Sequence, residues 1–374
     1  MGLTMEKYDF LNFDKNRYLE YKVIKENNDK LLEEDIKEKR YILRSYPTFI
    51  GLGTDEICNL KCIMCMQRVN DKAMISNPPT IEEKYLVKFA DQVFPAARTL
   101  RLNTAGEPLM SRLLPTEIDL AEKYGVKLEV NTNGTLLNVK KALFAKIVKN
   151  ASSIAFLFDS PVKETYESIR IGADFSQTVE NMRLFQEFRN SMPLSERPYF
   201  FIKMVLMRRN LNQVIKMVEF AKNMGVDSVH ISHVLIFREE MQQEALEDSK
   251  ENVNNTLLMA EQFARDLQMS LVIPPLFNLE ASETKKQIAE IKQKEESFKR
   301  CSFLWGRVYI DGNANIFPCC EPSHPVVGSI KDKDFEEIWN GELYQAMRKT
   351  FTGGPYYKLC YDCVKTGYLS KTNP

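Results

Sequence analysis

The stretch Cys58-Asn-Leu-Lys-Cys62-Ile-Met-Cys65 decides how the rest of the chain is interpreted. Its three thiols are separated by three and then two residues, and a loop with this spacing can turn three sulfur atoms towards one point. Thiolates are the ligands that soft metals and iron-sulfur clusters select. A four-iron cluster normally takes four protein thiolates, so a local set of three leaves one iron free for a non-protein ligand. The spacing therefore indicates a reactive iron-sulfur site, and a structural zinc loop is the rival interpretation.

The eight cysteines of the chain fall into two groups. The first is the set of Cys58, Cys62 and Cys65, named the cysteine triad below. A secreted disulfide framework would spread cysteines through a short chain, whereas clustering in a long chain favours metal or cluster ligation. The second group lies in the last quarter of the chain and comprises Cys301, Cys319, Cys320, Cys360 and Cys363.

The composition is that of an ordinary globular protein. The 374 residues are 44% hydrophobic and 27% charged, which is enough chain for two domains. Lys and Arg number 51, as do Asp and Glu, so no net charge favours nucleic acid or an anionic membrane surface. The N-terminus lacks a signal-like pattern, and no apolar run approaches the roughly 18 residues that span a bilayer. We expect a cytoplasmic protein that binds neither nucleic acid nor a membrane.

Strand-like apolar runs alternate with amphipathic helical segments from residue 48 onward. This alternation predicts a parallel α/β sheet, closed or partly closed as a barrel. The predicted strands are 48–53, 99–103, 127–131, 153–159, 199–206 and 228–233, and a shorter seventh strand is predicted at 270–273.

Each of the first six strands ends in polar or turn residues. Active sites of such folds are built from the loops at the carboxyl ends of the strands, so we expect one site fed by six loops. His230 and His233 are an odd number of residues apart and cannot both face the interior, so only one of them can lie in the site. The segments that follow strands one to six contain the cysteine triad, Asn103 to Pro108, Asn131 to Thr135, Asp159-Ser160, Arg208 to Asn210 and the two histidines.

The two ends of the chain differ from its middle in composition and in the pattern of apolar residues. Residues 14–40 are polar and predicted to be helical, with apolar residues too scattered for a core helix, so a docked cap and a flexible lead-in both stay open. Residues 308–317 predict a β-hairpin with Asp311-Gly312 as its turn. The predicted organisation is an extension at 1–46, a barrel at 47–281, a linker helix at 282–300 and a cysteine-rich domain at 301–374.

The cysteine triad, in this order of loops, resembles the signature of the radical S-adenosylmethionine (SAM) enzymes. In that family the free iron chelates the amino and carboxylate groups of SAM. Gly106-Glu107-Pro108 looks like the family's Gly-Glu motif, which holds the amino group of SAM, although Ala105 stands where a glycine is frequent. Met64 occupies the place of a residue that lies against adenine. A plain turn at Gly106 and a packing role for Met64 are the alternatives.

Other loops match the motifs of the radical SAM family less completely. Asn131 or Asn133, around the Thr-Asn-Gly turn, would face the ribose, although Asn-Gly is also a common tight turn. Arg170 lies where the family often has an arginine that grips the carboxylate of SAM. Leu157 departs from the pattern, because the family often has a carboxylate-contacting serine there. The family's glycine-rich motif of strand five is not visible in residues 202–206.

The C-terminal cysteines resemble the SPASM or twitch domain attached to some radical SAM enzymes. There, four cysteines hold one auxiliary four-iron cluster, and here they would be Cys301, Cys319, Cys360 and Cys363. By spacing alone a zinc ribbon is equally possible. Cys320 is left over, because neighbouring residues along a strand point in opposite directions.

The resemblance covers residues 47–374 and implies a partial (β/α)6 TIM-type barrel with a small C-terminal domain of β-hairpin and helix. It implies SAM, a [4Fe-4S] cluster on the cysteine triad and an auxiliary [4Fe-4S] cluster on four cysteines. Reductive cleavage of SAM would give a 5′-deoxyadenosyl radical that takes hydrogen from a substrate.

An auxiliary cluster held entirely by protein is suited to removing an electron, so we expect an oxidoreductase. The resemblance to the alcohol dehydrogenases of aminoglycoside biosynthesis, which share the twitch layout, implies a small-molecule substrate such as a sugar or aminocyclitol alcohol. Flavodoxin or ferredoxin would be the reducing partner. A peptide-modifying enzyme and, from another class, a non-catalytic zinc protein are the alternatives.

Overall fold

The computed structural model describes residues 15–66, 79–279, 301, 303–319, 325–355, 357, 358 and 360. The predicted linker helix at 282–300, Cys320 and Cys363 lie outside these described residues. Within them, none of the helices combines the length and apolar character needed to cross a membrane.

One ten-stranded sheet forms the centre of the molecule, in the order β10-β9-β8-β1-β2-β3-β4-β5-β6-β7. All pairings from β8 through β1 to β7 are parallel, and β8-β9 and β9-β10 are antiparallel. Strands β10 and β7 form its two edges, so the predicted α/β fold with a parallel sheet is confirmed as an open, partial barrel. The strands are β1 Phe49–Gly53, β2 Thr99–Leu102, β3 Lys127–Thr132, β4 Ala151–Leu157, β5 Tyr199–Leu206, β6 Ser228–His233, β7 Ser270–Val272, β8 Arg307–Asp311, β9 Asn315–Phe317 and β10 Gly328–Ser329.

Helices connect the strands. Those between β1 and β7 return the chain to the next parallel strand, as right-handed βαβ crossovers require. The α-helices of the described residues are α1 Lys15–Lys37, α2 Glu83–Val93, α3 Leu114–Tyr124, α4 Lys141–Asn150, α5 Lys163–Ile169, α6 Phe175–Asn190, α7 Val214–Asn223, α8 Lys250–Asp266, α9 Phe303–Gly306, α10 Phe335–Trp339 and α11 Glu342–Thr350. Short 3-10 helices lie at Pro108–Met110, Leu194–Glu196, Arg208–Gln213 and Glu239–Glu244.

The two faces of the sheet have different chemistry, as strand β5 shows. Phe200, Ile202 and Met204 are fully buried in the hydrophobic core. Lys203 and Val205 alternate with them and line a pocket on the opposite face. Successive side chains of a strand point to opposite faces, so one face packs against helices while the other builds the interior of the barrel.

The C-terminal segment continues the sheet of the barrel. Strand β8 pairs in parallel with β1, with Phe49 opposite Arg307, and the predicted hairpin of β8 and β9 is present. Helix α10 follows this hairpin in the chain, and the indole nitrogen of its Trp339 donates to Ser45 O, before β1, at 2.8 Å. Residues on both sides of position 301 therefore share one hydrophobic core. The domain boundaries stay a prediction.

Helix α1 is docked on the barrel through polar contacts and through Tyr21 and Leu32, which pack against the hydrophobic core. The ammonium group of Lys25 donates to the carbonyl oxygens of Phe94 and Ala97, beyond the end of α2. Asn28 exchanges two hydrogen bonds with the backbone of Tyr46. Of the two possibilities for this segment, the structure shows the docked one.

Asp35 is the strongest of these polar anchors, and removing it tests the docking. Its side chain is fully buried and accepts hydrogen bonds from the backbone and hydroxyl of Ser45 and from the backbone and guanidinium of Arg44. Burial alone would raise the pKa of Asp35, but these donors hold it below its ordinary value. Asp35→Ala leaves several buried donors unpaired, so we expect a loss of about 2–4 kcal/mol in the free energy of unfolding.

Urea unfolding followed by circular dichroism measures this loss. Glu34→Ala is the matched control, because Glu34 also pairs with Arg44 but at the exposed surface. It should cost less than about 1 kcal/mol. Equal losses in the two variants would contradict an anchoring role for Asp35.

Candidate active site

The cysteine triad lies in the loop that follows β1, and backbone hydrogen bonds fix this loop. Lys61 N donates to Ile171 O at 2.8 Å and Ile63 N donates to Ile169 O at 2.9 Å, which ties the loop to the end of α5. The guanidinium of Arg238, beyond β6, donates to Ile63 O. The loop is therefore held by segments that follow two other strands of the barrel.

All three thiols of the triad line one pocket of about 410 Å³ at the carboxyl ends of the strands. Five of the six residues predicted to contact SAM line the same pocket, and the sixth, Asn131, does not. The five are Met64, Gly106, Glu107, Asn133 and Arg170. The remaining lining residues are Leu60, Leu157, Lys203, Val205, His230, Ile231 and Ser232.

Several N–H donors point at the sulfur atoms of the triad. Leu60 N donates to Cys58 Sγ at 3.4 Å and Asn133 Nδ2 does so at 3.9 Å. Arg170 Nη1 donates to Cys62 Sγ at 3.8 Å. Burial raises the pKa of the Cys58 thiol to about 12, and it also raises the pKa of Cys62 despite the neighbouring arginine. Burial therefore favours the neutral thiols of Cys58 and Cys62 when no metal is bound.

Glu107 joins the loops that follow β2 and β3. Its carboxylate accepts from Asn133 N and Thr132 Oγ1, both at 2.7 Å, and from Leu109 N at 3.3 Å. The side chain is 1% exposed, and burial raises its pKa to about 7 although these donors lower it. Glu107 thus fixes the geometry of two loops and retains about one acceptor position for a ligand.

Asn133 ties the turn after β3 to the triad loop. Its Nδ2 donates to Asn59 Oδ1 at 2.9 Å, and its Oδ1 accepts from Thr135 Oγ1 at 2.7 Å. Gly134 has a φ of +74°, which fits the tight-turn interpretation of the Asn-Gly pair. Contact of Asn131 or Asn133 with a ribose stays a prediction.

Gly106 allows the β2 loop to pack directly on the chain that enters the triad loop. Its φ is +82°, and a Cβ atom here would lie 2.6 Å from Ile57 O and 2.9 Å from Glu56 C. The next residue, Glu107, donates its backbone N–H to the same Ile57 oxygen at 2.8 Å. Only glycine combines this backbone conformation with so close an approach.

We expect Gly106→Ala to displace the triad loop. Misplacement of a reacting group by about 1 Å can cost two orders of magnitude in rate, so SAM cleavage should fall about 10- to 100-fold, together with iron content. Iron per chain and 5′-deoxyadenosine formation measure both effects. Gly353→Ala is the control, because its φ is +92° but no atom lies within 4 Å of the added Cβ. If both variants behaved alike, backbone strain alone would explain the loss.

Arg170 is held by a carboxylate of the protein. Its Nε lies 2.8 Å from Asp159 Oδ2, and both side chains are almost fully buried. Asp159 also accepts from Val205 N at 2.8 Å, which connects the pair to β5. The guanidinium therefore bridges Asp159 and Cys62. Its contact with the carboxylate of SAM stays a prediction.

A polar wall lies on β5 and β6, and of its residues the sequence pointed to His230 but not to Lys203. Lys203 Nζ donates to Asn131 Oδ1 at 2.9 Å, and burial, followed by the charge of Arg101, lowers the pKa of Lys203 to about 8. The ring of His230 lies 4.5 Å from that of Phe201, and burial lowers its pKa. The sequence did contain a signal for this wall. Lys203 is the lysine of an otherwise apolar strand, and the alternation of side chains along that strand makes it face the interior.

Of the two histidines, only His230 lines the pocket. His233 lies on the other side of its strand, with Nε2 3.0 Å from Pro275 O and its ring 4.5 Å from that of Phe277. The prediction that the two cannot share the interior is confirmed by this arrangement.

Three of the four predicted C-terminal ligands are described. Cys301 is enclosed by the start of α9, where the backbone N–H groups of Phe303 and Leu304 donate to its sulfur, and burial raises its pKa to about 11. Cys360 is 4% exposed and Cys319 is partly buried. Among the described residues, no three His, Cys, Asp or Glu side chains form a group suited to a single metal ion. This holds for the cysteine triad as well, whose predicted ligand is a larger four-iron cluster.

Comparison with known proteins identifies two regions. The model of the radical SAM superfamily matches residues 55–221, and the SPASM model, an iron-sulfur cluster-binding domain, matches residues 301–364. The AdoMet-dependent heme synthase of Methanosarcina barkeri is 24% identical, over 87% of this chain and 93% of that protein. The tungsten-containing aldehyde ferredoxin oxidoreductase cofactor-modifying protein of Pyrococcus furiosus is 20% identical, over 84% of this chain and 86% of that protein.

Solved structures share the fold. SuiB of Streptococcus suis bound to S-adenosylmethionine has a TM-score of 0.61 and 17% identity, covering 86% of this chain and 72% of that chain. SuiB bound to its precursor peptide SuiA has a TM-score of 0.58 and 16% identity, covering 92% and 74%. At this identity the likeness shows the fold. With both family models matching in the expected order, the chain belongs to the radical SAM superfamily with a C-terminal SPASM domain, and its cofactors are SAM, a [4Fe-4S] cluster and an auxiliary iron-sulfur cluster.

Proposed function

We propose that this protein is an oxidoreductase that removes hydrogen from a small molecule. The observation that carries the proposal is the convergence of the cysteine triad, Gly106, Glu107 and Arg170 on one pocket that Lys203 and His230 also line. When bound, the clusters and SAM supply a 5′-deoxyadenosyl radical and an acceptor for one electron. In the oxidation of an alcohol, the 5′-deoxyadenosyl radical would take the hydrogen atom of a substrate C–H bond and become 5′-deoxyadenosine. The hydroxyl group would release a proton, and the auxiliary cluster would accept the remaining electron.

The surroundings of the triad fit thiolates bound to a metal. Burial makes bare thiolates unfavourable at Cys58 and Cys62, and a metal cation would compensate that cost. The N–H donors at both sulfur atoms are the kind of outer contacts that orient metal-bound ligands. We assign the first cluster to Cys58, Cys62 and Cys65 on this basis.

The other residues of the pocket would bind and orient SAM. The loop of Gly106 and Glu107 offers a backbone close to the triad and an acceptor for an ammonium group. Met64 packs beside the small apolar cluster of Ile169, Met207, Val234 and Met241, next to the pocket. Arg170 would act mainly by positioning Cys62, since Asp159 occupies one of its edges.

For the auxiliary cluster we propose Cys301, Cys319, Cys360 and Cys363 as ligands. The buried sulfur of Cys301, with its two backbone donors, has surroundings that fit a ligating thiolate. A four-iron cluster with four thiolates has no open position for a substrate. Removal of an electron is the role that remains for it.

A peptide substrate is the second candidate, and one observation favours it. The chain shares its fold with SuiB, which has been solved with a precursor peptide bound. A peptide-modifying enzyme would form a thioether, a carbon–carbon bond or an epimerised residue on the same site.

The test is anaerobic incubation of the reconstituted protein with SAM, dithionite and deuterated substrates. The proposal is supported if 5′-deoxyadenosine acquires deuterium when the enzyme is incubated with deuterated metabolites below about 1 kDa, and acquires none when it is incubated with deuterated peptides. Transfer from the peptide pool alone would establish the second candidate instead. A ferredoxin or flavodoxin as physiological reductant and a cytoplasmic location, where thiols stay reduced, complete the proposal.

A further inference from the structure

The wall of the pocket formed by β5 and β6 carries a positive charge that no carboxylate of the described residues pairs with. The ammonium group of Lys203 donates to the amide oxygen of Asn131 at 2.9 Å. The charged side chains that act on it, Arg101 and Glu129, bind each other at 2.9 Å across strands β2 and β3. Their charges cancel, so one positive charge remains on the wall.

This charge is poorly solvated where it lies. Lys203 is partly buried on the interior face of β5, and burial is the main reason that its pKa falls to about 8. Arg101 lowers this pKa further, whereas Glu129 raises it. His230, which faces Lys203 from β6, has a lowered pKa and contributes no negative charge. An anion bound here would therefore recover a cost that the folded protein carries.

Lys203 is directed away from the triad loop. It is in register with Leu157 on β4, whereas Asn131, its hydrogen-bond partner, is in register with Ala155. Asn131 is thus two residues closer to the amino ends of the strands. The ammonium group is therefore directed towards the interior of the barrel, away from the loops at the carboxyl ends of the strands.

We propose that this wall binds the substrate through a carboxylate, with Lys203 as its counter-ion. The proposal rests on the function proposed above and narrows its substrate class to small carboxylic acids. A single unbalanced positive charge matches a monoanion better than a phosphate dianion. Leu157, Val205 and Ile231 line the same pocket and would contact an apolar part of the substrate.

The experiment uses the reconstituted holoenzyme and a deuterated metabolite extract separated by anion exchange into retained and unretained pools. Deuterium transfer to 5′-deoxyadenosine, normalised to the total 5′-deoxyadenosine formed, should come from the retained pool. Methyl esterification of that pool should abolish the transfer, and phosphatase treatment should leave it intact. Transfer from the unretained pool, or transfer that only phosphatase removes, would overturn the carboxylate assignment.

Substitutions at Lys203 test the residue itself. Lys203→Met should raise the amount of retained pool needed for half-maximal transfer about 10- to 100-fold, the size of a lost charge-assisted hydrogen bond. Lys127→Met, at the exposed start of β3, is the matched control and should not change it. An equal loss of SAM affinity in Lys203→Met, measured by equilibrium dialysis, would place the carboxylate of SAM at Lys203 and overturn the substrate assignment.

The pH dependence distinguishes a counter-ion from a structural residue. Lys203 has a lowered pKa, so its charge is present below about pH 8 and is lost above it. Half-maximal transfer in the parent should need at least about tenfold more retained pool at pH 9.5 than at pH 7. Lys203→Arg, whose charge persists, should show no such rise. A rise of the same size in both would overturn the proposal, and absence of 5′-deoxyadenosine from the parent itself would overturn the proposed function with it.

Discussion

Replacing Cys58, Cys62 and Cys65 together by alanine is expected to reduce 5′-deoxyadenosine formation from SAM to background, a loss of at least about 1,000-fold. The reason is that the cofactor carries the bond cleavage, and without its ligands the protein can only bind and orient. Iron per chain should fall from about eight to about four, because the second cluster uses other cysteines. Liquid chromatography of anaerobic reactions and iron and sulfide analysis measure the two quantities.

Cys320→Ala provides the control for removing a cysteine outside both proposed ligand sets. It should keep about eight irons per chain and the activity of the parent. Retained 5′-deoxyadenosine formation in the triple variant would contradict the assignment of the triad. About four irons together with one zinc in the parent would instead make the C-terminal site a zinc ribbon.

Local patterns were sufficient to predict the sheet and the position of the site. The bounds of β5 and β6 agree with the predicted runs at 199–206 and 228–233, and each run begins directly after a turn-favouring residue, Pro198 or Asp227. Parallel strands place their carboxyl ends at one edge. The triad, Gly106 and Arg170, far apart in the sequence, consequently line the same pocket.

The docking of α1 could not be predicted by the same reasoning. Hydrophobic periodicity detects a helix face that is buried by apolar side chains, whereas α1 is anchored by Lys25, Asn28 and Asp35. The partners of these three side chains are backbone groups and the side chains of Arg44 and Ser45, which carry no signal in the sequence of the helix. A polar helix can therefore be fixed on a barrel when its polar groups are individually satisfied.

Two further features depend on contacts between distant parts of the chain. The parallel pairing of β1 with β8 joins residues that lie more than 250 positions apart, and the hairpin signal of β8 and β9 says nothing about it. The role of Lys203 depends on Arg101 and Glu129 cancelling each other on neighbouring strands. The sequence shows these charges but not which of them pair.

Cys363→Ala is expected to separate the two proposed clusters. Cys360 lies in the hydrophobic core and Cys301 packs against this core, so replacing either of them would also disturb packing. Cys363 is therefore chosen over these two. Product formed per SAM cleaved should fall at least about 100-fold, since a substrate radical without a nearby electron acceptor is quenched or returns to substrate.

The measurement compares oxidised product with 5′-deoxyadenosine in the same anaerobic reaction, after iron analysis has shown that the auxiliary cluster is missing. A parallel fall of both quantities would mean that the substitution has damaged the whole enzyme, and Cys320→Ala sets the level expected from removing a non-ligating thiol. Product formed at the parent ratio without the auxiliary cluster would contradict electron removal as its role. A redox-neutral reaction, such as a rearrangement or an epimerisation, would then account better for this pocket, because the product radical takes up a hydrogen atom and no electron has to leave the substrate.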